Sequence, residues 1–272
     1  MPFDAAAYLD RIKWRGRLEP TLDVASSLLR AHMRAIPFEN LDVLLGRGIR
    51  VDLDGVFDKL VSARRGGYCF EHSTLLAAAL AHAGFAPATH SARVVMVAPR
   101  SAAPRTHMFL SVAIDGTTYV LDPGFGGHGP LVPLPLIEHR ETRDGPDVHR
   151  FVRRNGEWVL ETPIGGKMTP LWMSTLETDS PIDFVMANHF TSTWRDSPFV
   201  NRLMLRALTS DGRVSVMNRD VTMLRGTASE TRQLADRTAL RSLLVDHFGF
   251  DLPEVEQINV PTVAEWSTAA RT

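Results

Sequence analysis

The chain has 272 residues, 44% hydrophobic and 22% charged, the balance of a globular protein that buries a sizeable core. Its 30 Lys and Arg against 31 Asp and Glu leave a formal net charge of −1, so no field favours nucleic acid or an anionic membrane surface. Met1-Pro2-Phe3-Asp4-Ala5 lacks a signal-peptide pattern, and the most apolar stretch, Leu75 to Ala86, is short and broken by His82, so no membrane span is expected.

Phe3 to Ile12 is amphipathic, and Leu22, Ala25, Leu29, His32, Met33 and Ile36 recur at helical spacing over Thr21 to Ile36, with Pro37 ending that helix. Val51 to Leu60 predicts a short helix, and Phe70 to Leu80 a longer one, closed by Gly84. From residue 89 the period changes to two. Strands are predicted over His90 to Val97, His107 to Ile114 and Thr117 to Asp122, with more around Phe151-Val152 and Trp158 to Leu160. The turn signals Asp115-Gly116, Asn155-Gly156 and Gly165-Gly166 make this a small antiparallel barrel or sandwich. Residues 183–195 read as helix. Strands at Leu203 to Leu208, Val214 to Met217 and Val221 to Leu224 precede a helix carrying Leu240, Leu243, Leu244 and His247. Helices, then strands, then a mixed tail is an α+β arrangement. The charged segment Leu136 to Asp147 matches no pattern.

Cys69 is the only cysteine. A lone thiol forms no intramolecular disulfide and no thiolate metal site, and it points to a reducing, cytoplasmic setting. No Cys cluster, His-Glu-x-x-His or close helical His pair suggests a metal. Cys69 follows Gly66 and Gly67 and begins the predicted helix, where unpaired N–H groups and the macrodipole favour negative charge. The two glycines permit a tight turn and leave room to approach the sulfur. Taken alone, an inert cysteine packed as a small hydrophobe fits equally well.

The hairpin changes the balance. With Asp115-Gly116 as a two-residue turn, Ile114 faces Thr117 and Leu110 faces Leu121. Met108, Leu110, Val112, Ile114, Tyr119 and Leu121 then share one face, which is core. His107, Phe109, Ser111, Val120 and Asp122 share the other, with His107 and Asp122 about 7–8 Å apart as diagonal neighbours. A one-residue slip would part them. A carboxylate that orients an imidazole needs only a nucleophile to complete a triad. The following Gly124-Phe125-Gly126-Gly127-His128-Gly129 run is no nucleotide loop; on its own it reads as a plain loop.

These residues carry a resemblance over nearly the whole chain. Ile36-Pro37-Phe38-Glu39-Asn40-Leu41, Arg65 to Glu71, Ala92-Arg93-Val94-Val95, Thr106-His107, Asp122 to Gly126, and the later Asp183-Phe184, Ala187-Asn188-His189-Phe190, Ser192-Thr193 and Ser197-Pro198-Phe199 together resemble the arylamine N-acetyltransferases. The resemblance implies a three-part fold around a cysteine-protease-like Cys–His–Asp core. A helical bundle (1–83) carries the nucleophile, a β-barrel with its connecting helix (84–200) carries His and Asp, and an α/β lid (201–272) follows. It implies a triad of Cys69, His107 and Asp122. The reaction is ping-pong: acetyl-CoA acylates Cys69, CoA leaves, and an arylamine, arylhydrazine or N-arylhydroxylamine attacks the thioester. Phe38, Val95, Phe125 and Phe199 then line the acyl and acceptor pocket. Thr106, Gly124, Gly126 and Gly127 lie against CoA, and amides near Cys69 and Thr106 form the oxyanion site. Acetyl-CoA enters as co-substrate, with no metal or prosthetic group, and the protein is a monomer or homodimer.

One residue departs from the family pattern: Pro123 follows the triad Asp where Val is usual, which stiffens that turn. Glu39 and Arg64 read as a structural ion pair at the helix–barrel junction. A macrolactam-forming amide synthase on the same scaffold is the nearest rival. A transglutaminase-like hydrolase is a second. A papain-type His lies about 130–150 residues beyond the Cys; the spacing of 38 here argues against that order and leaves the transglutaminase order open. A ligand-binding scaffold with an inert Cys69 is the non-enzymatic alternative.

Overall fold

The structure is a computed structural model that describes residues 3–226 and 228–267. Its first part is helical: Ala5–Arg11, Leu22–Ala35, Leu41–Leu44, Leu53–Phe57, which widens into a π-type turn over Asp58–Ser62, and Cys69–His82. Asp4, Thr21 and Asp52 cap three of these helices by accepting an amide hydrogen bond. Leu28, Leu29, Leu60, Leu75, Leu76 and Leu80 meet in one core. Polar groups inside it are satisfied in a chain: Tyr8 Oη to His32 Nδ1 at 3.0 Å, His32 Nε2 to His72 Nδ1 at 2.9 Å, and His72 Nε2 to the Pro37 carbonyl at 3.3 Å. Burial holds both histidines well below the usual imidazole range.

Eight antiparallel strands form the second part. In sheet order they are Leu134–Pro135, Thr117–Leu121, Arg105–Ile114, Ala88–Val94, Lys167–Ser174, Glu157–Ile164, Asp147–Arg154 and Glu141–Asp144. Glu138, between the two edge strands in sequence, bridges to Phe151, so the sheet nearly closes into a barrel. Its interior holds Phe109, Val120, Phe151, Leu160, Leu171 and Trp172. The predicted hairpin register is the observed one, Leu110 opposite Leu121 and Ile114 opposite Thr117, with Asp115 at φ 48° and Gly116 at φ 76° as a type I′ turn requires. Glu141–Asp144 and Lys167–Ser174 carry no clear period-two signal and were not predicted as strands.

The third part is a five-stranded antiparallel sheet in the order Phe38–Glu39, Met204–Leu208, Gly212–Met217, Asp220–Arg225, Ala228–Gln233. It packs its inner face against Arg237–Leu243, Leu244–Phe248 and the turn Pro253–Gln257. Its first strand comes from the N-terminal helical part, which stitches that part to the C-terminal sheet. Helix Pro181–Thr193 lies between them in sequence, and no helix among the described residues is long and apolar enough to cross a membrane.

Candidate active site

Cys69 is the first residue of its helix. Two interactions fix that start. Glu71 Oε2 accepts from the Tyr68 amide at 3.0 Å, and the Tyr68 hydroxyl donates to Asn188 Oδ1 on helix Pro181–Thr193. Glu71 belongs to a buried ion cluster. Arg65 donates to Glu39 at 2.6 Å and Asp42 at 3.1 Å, and Lys59 reaches Asp42 at 3.0 Å and Glu71 at 2.8 Å. Burial pulls Lys59 toward neutrality, but Glu39, Glu71 and Asp42 outweigh it and raise its pKa. The expected partner of Glu39 was Arg64; the structure corrects this to Arg65. Arg64 instead has φ 54° and offers its carbonyl to Arg11.

Gly66 and Gly67 do not open a route to the sulfur, as their sequence position suggested. A Cβ on Gly66 would lie 2.2 Å from the Pro37 carbonyl oxygen, and one on Gly67 would lie 2.6 Å from Glu71 Oε2. Gly66 is confined by Pro37–Glu39 running alongside, and Gly67 by the Glu71 side chain that folds back to cap the helix start. Gly124 is equally constrained. Its Cβ would fall 2.3 Å from Cys69 Cα, so the loop after Asp122 rests directly on the helix start.

His107 and Asp122 meet as the hairpin geometry required. His107 Nε2 lies 2.9 Å from Asp122 Oδ2, with both side chains almost fully buried. The indole N–H of Trp172 donates to the same oxygen at 2.9 Å. Asp122 Oδ1 has no hydrogen-bond partner among the described residues. With Nε2 committed to Asp122, Nδ1 is the nitrogen left for Cys69. Burial lowers the pKa of His107, yet the Asp122 charge and hydrogen bond, together with a hydrogen bond to Cys69, push it up to about 10. The Cys69 Sγ also approaches the Thr106 carbonyl at 3.8 Å.

Around this trio Phe38 and Phe199 pack in one cluster with Cys69, Tyr68, Phe70 and Met108, their rings 6.4 Å apart. Phe125 stands edge-on to His107 at 5.2 Å. Val95 packs elsewhere, against Val152, Val159 and Met173. The Thr106 amide donates to the Pro104 carbonyl at 3.0 Å. Gly126 has φ 80° and faces the Phe38 ring, whereas Gly127 is exposed with open space where a side chain would be. Sequence reasoning missed Trp172 because its strand was missed; an indole inside an apolar barrel strand was the available signal. It also missed Asn40, whose side-chain amide donates to the carbonyls of Phe199 and Arg202 at 2.8 Å each and so ties Phe199 to the start of the C-terminal sheet.

Comparison with known proteins gives this arrangement a family. A sequence model described as N-acetyltransferase matches residues 21–257. The arylamine N-acetyltransferase of Mycobacterium tuberculosis is 37% identical over 260 residues, covering 94% of this chain and 92% of that protein. The chain belongs to the arylamine N-acetyltransferase family. The Escherichia coli member is 32% identical over 251 residues, covering 92% of this chain and 89% of its own. The structure of Mycobacterium marinum arylamine N-acetyltransferase in complex with CoA superposes with a TM-score of 0.87 at 35% identity, covering 93% of this chain and 94% of that one. Among the described residues no group of three His, Cys, Asp or Glu side chains could hold a metal.

Proposed function

We propose that this protein transfers the acetyl group of acetyl-CoA to arylamines and arylhydrazines through an acetyl-Cys69 intermediate, in a cytoplasmic setting. Cys69, His107 and Asp122 act as a cysteine-protease-like triad. The observation that carries this reading is the His107–Asp122 pair, buried, 2.9 Å apart and turned so that the remaining ring nitrogen meets the only thiol of the chain.

In the first half-reaction His107 holds the proton of Cys69, and Sγ attacks the thioester carbonyl. The amides at the helix start receive the developing oxyanion, a position favoured by their unpaired N–H groups and the helix dipole. The C–S bond to CoA breaks, and His107 returns the proton to the departing thiolate. In the second, the amine nitrogen attacks the acetyl-cysteine carbonyl, His107 takes the amine proton, and the Cys69 thiolate leaves. Asp122, held by Trp172, keeps the imidazole in one orientation and stabilises its charged form. An arylamine is neutral at pH 7 and fits a flat apolar slot, which Phe38, Phe125 and Phe199 supply. The open side of Gly127 leaves room for the pantetheine arm of CoA.

The test is intact-mass spectrometry of wild type and Cys69→Ala mixed with acetyl-CoA, before and after an arylhydrazine is added. One acetyl group on wild type only, removed by the hydrazine, is the expected result. An unmodified wild type would rule out the CoA-dependent reaction.

A further inference from the structure

Ser73 carries a fully buried hydroxyl that the transfer steps above do not use. It lies four residues beyond Cys69 on the helix Cys69–His82, so the two side chains share one face, about one turn apart. Both meet the strand Arg105–Ile114. Cys69 Sγ approaches the Thr106 carbonyl at 3.8 Å, and Ser73 Oγ donates to the Met108 carbonyl at 3.0 Å. Four helical residues advance about 6 Å and two strand residues about 6.6 Å, so the two contacts form together along one line. His107 is the residue between them.

The strand is weakly held at this point. On one edge its register with Ala88–Val94 slips: Ala92 faces His107 and Arg93 faces Arg105, so Thr106 is an extra residue with none opposite. The Thr106 amide turns back to the Pro104 carbonyl instead. A bulge of this kind re-aims the adjoining side chain and disrupts the ladder where it occurs. On the other edge, pairing with Thr117–Leu121 begins only at Leu110. The backbone of His107 thus has a bulge before it and an edge that the neighbouring strand does not reach. Ser73 bonds the residue directly after it, from the same helix that carries the thiol. Asp122 orients the ring from the barrel side at 2.9 Å, whereas the Ser73 bond spans the helix and the strand themselves.

We propose that Ser73 is a positioning residue for the transfer reaction. Its hydroxyl fixes the Cys69 helix against the His107 strand at the spacing where the free ring nitrogen meets the thiol. The proposal rests on the transfer reading above, which makes Cys69 the nucleophile and His107 its base. Without the hydroxyl, His107 keeps Asp122 and the pocket keeps its lining, but helix and strand separate at the bulge. The loss falls on proton transfer between Cys69 and His107.

The experiment measures iodoacetamide alkylation of Cys69 at about pH 6 and about pH 10 in wild type, Ser73→Ala, Ser73→Thr and Thr162→Val. At the higher pH a thiol ionises unaided and the rate reports access; at the lower pH it reports how well His107 holds the proton. Thr162 is a control of the same kind, a buried hydroxyl that donates to the Val148 carbonyl at 2.8 Å on other strands of the barrel. The low-to-high pH rate ratio should fall about 10-fold in Ser73→Ala, the loss of one buried hydrogen bond expressed at the pair. It should stay at the wild-type level in Thr162→Val and recover in Ser73→Thr, which restores the hydroxyl. Ser73→Cys, close in size and a far weaker donor, replaces the alanine variant if that one does not fold, with the alkylated residue located by fragmentation mass spectrometry. A folded variant with the wild-type ratio, or an equal fall in Thr162→Val, makes Ser73 structural and overturns the proposal. A wild-type ratio no higher than that of free glutathione leaves no pairing for Ser73 to set and overturns it as well. If wild-type Cys69 shows the high ratio yet takes no acetyl group from acetyl-CoA, the transfer reading fails alone and the Ser73 comparison still decides the positioning role.

Discussion

The Trp172 indole N–H and the His107 imidazole converge on one oxygen, Asp122 Oδ2, each at 2.9 Å. Trp172 thereby pins the carboxylate from behind while His107 is held in front. Trp172→Phe keeps the ring stacked on Phe109, whose centroid is 4.4 Å away, and removes only the donor. Loss of a hydrogen bond to a buried charge should destabilise the protein by about 1–3 kcal/mol and lower kcat/KM, because Asp122 then holds the imidazole less firmly. Denaturant unfolding and steady-state kinetics on the same preparation check both. An unchanged Tm and unchanged turnover would remove Trp172 from the positioning role.

The raised pKa of His107 has a definite sign in stability. Its folded value, about 10, lies above the ordinary 6.5, so the folded state binds this proton more tightly than the unfolded chain. The stabilisation is fully present below pH 6.5, shrinks as pH rises, and is lost above about 10. Unfolding free energies of wild type and His107→Gln measured at pH 6, 8 and 10.5, pH values chosen to bracket the interval of about 6.5–10, should differ most at the lowest pH and converge at the highest. In catalysis the same titration removes the acid that protonates the leaving CoA thiolate, which predicts an alkaline limb in kcat/KM near pH 10. Asp122→Asn should move that limb downward, since the aspartate charge is what holds the imidazolium.

Most of this site was legible before the fold was seen, for identifiable reasons. The Asp115-Gly116 turn admits one register, and that register alone places His107 beside Asp122. Cys69 stood out as the only thiol, but alone it read equally well as an inert core residue until the hairpin supplied its partners. What stayed hidden depends on contacts between segments distant in sequence. The Glu39–Arg65 pair, the passage of Pro37–Glu39 beside Gly66-Gly67, and Arg206 beside Gly126 leave no local periodic signal. Lys167–Ser174 was missed because half-buried positions at its start and fully buried ones at its end blur the alternation. The glycines show how little a sequence says about their surroundings: Gly66, Gly67 and Gly124 each have protein atoms where a Cβ would sit, whereas Gly127 has open space.

The ion cluster beneath the Cys69 helix carries a prediction about stability. Lys59 contacts Glu71 at 2.8 Å, Asp42 at 3.0 Å and Glu39 at 3.8 Å. Lys59→Met removes the cation that contacts Glu71 and leaves Arg65 on Glu39 and Asp42, with Arg47 also on Asp42 at 3.3 Å. Removing one partner of a buried charge cluster costs about 3–5 kcal/mol, far more than an exposed pair such as Arg15–Asp10, whose loss should cost at most about 1 kcal/mol. Chemical denaturation of Lys59→Met beside Arg15→Met measures the contrast. Equal losses would mean that the cluster is solvated in solution.

The glycine loop offers the sharpest mutational contrast, because Gly124 and Gly127 are three residues apart and sit in opposite surroundings. A methyl group on Gly124 must displace the backbone of Cys69, which lies 2.3 Å from it and belongs to a helix that cannot shift alone. Gly124→Ala is therefore expected to cost at least about 1–3 kcal/mol of stability. It should also lower the rate of Cys69 acetylation, since any relief moves either the nucleophile or the carboxylate two residues upstream. Gly127→Ala meets nothing within 4 Å, and its stability should stay within about 0.5 kcal/mol of wild type. If Gly127 borders the pantetheine arm, that variant raises KM for acetyl-CoA while the folded protein still alkylates Cys69 at the wild-type rate. Thermal unfolding, iodoacetamide kinetics and KM measured together separate the two glycines. The assignment fails if Gly124→Ala proves as stable and as reactive as Gly127→Ala.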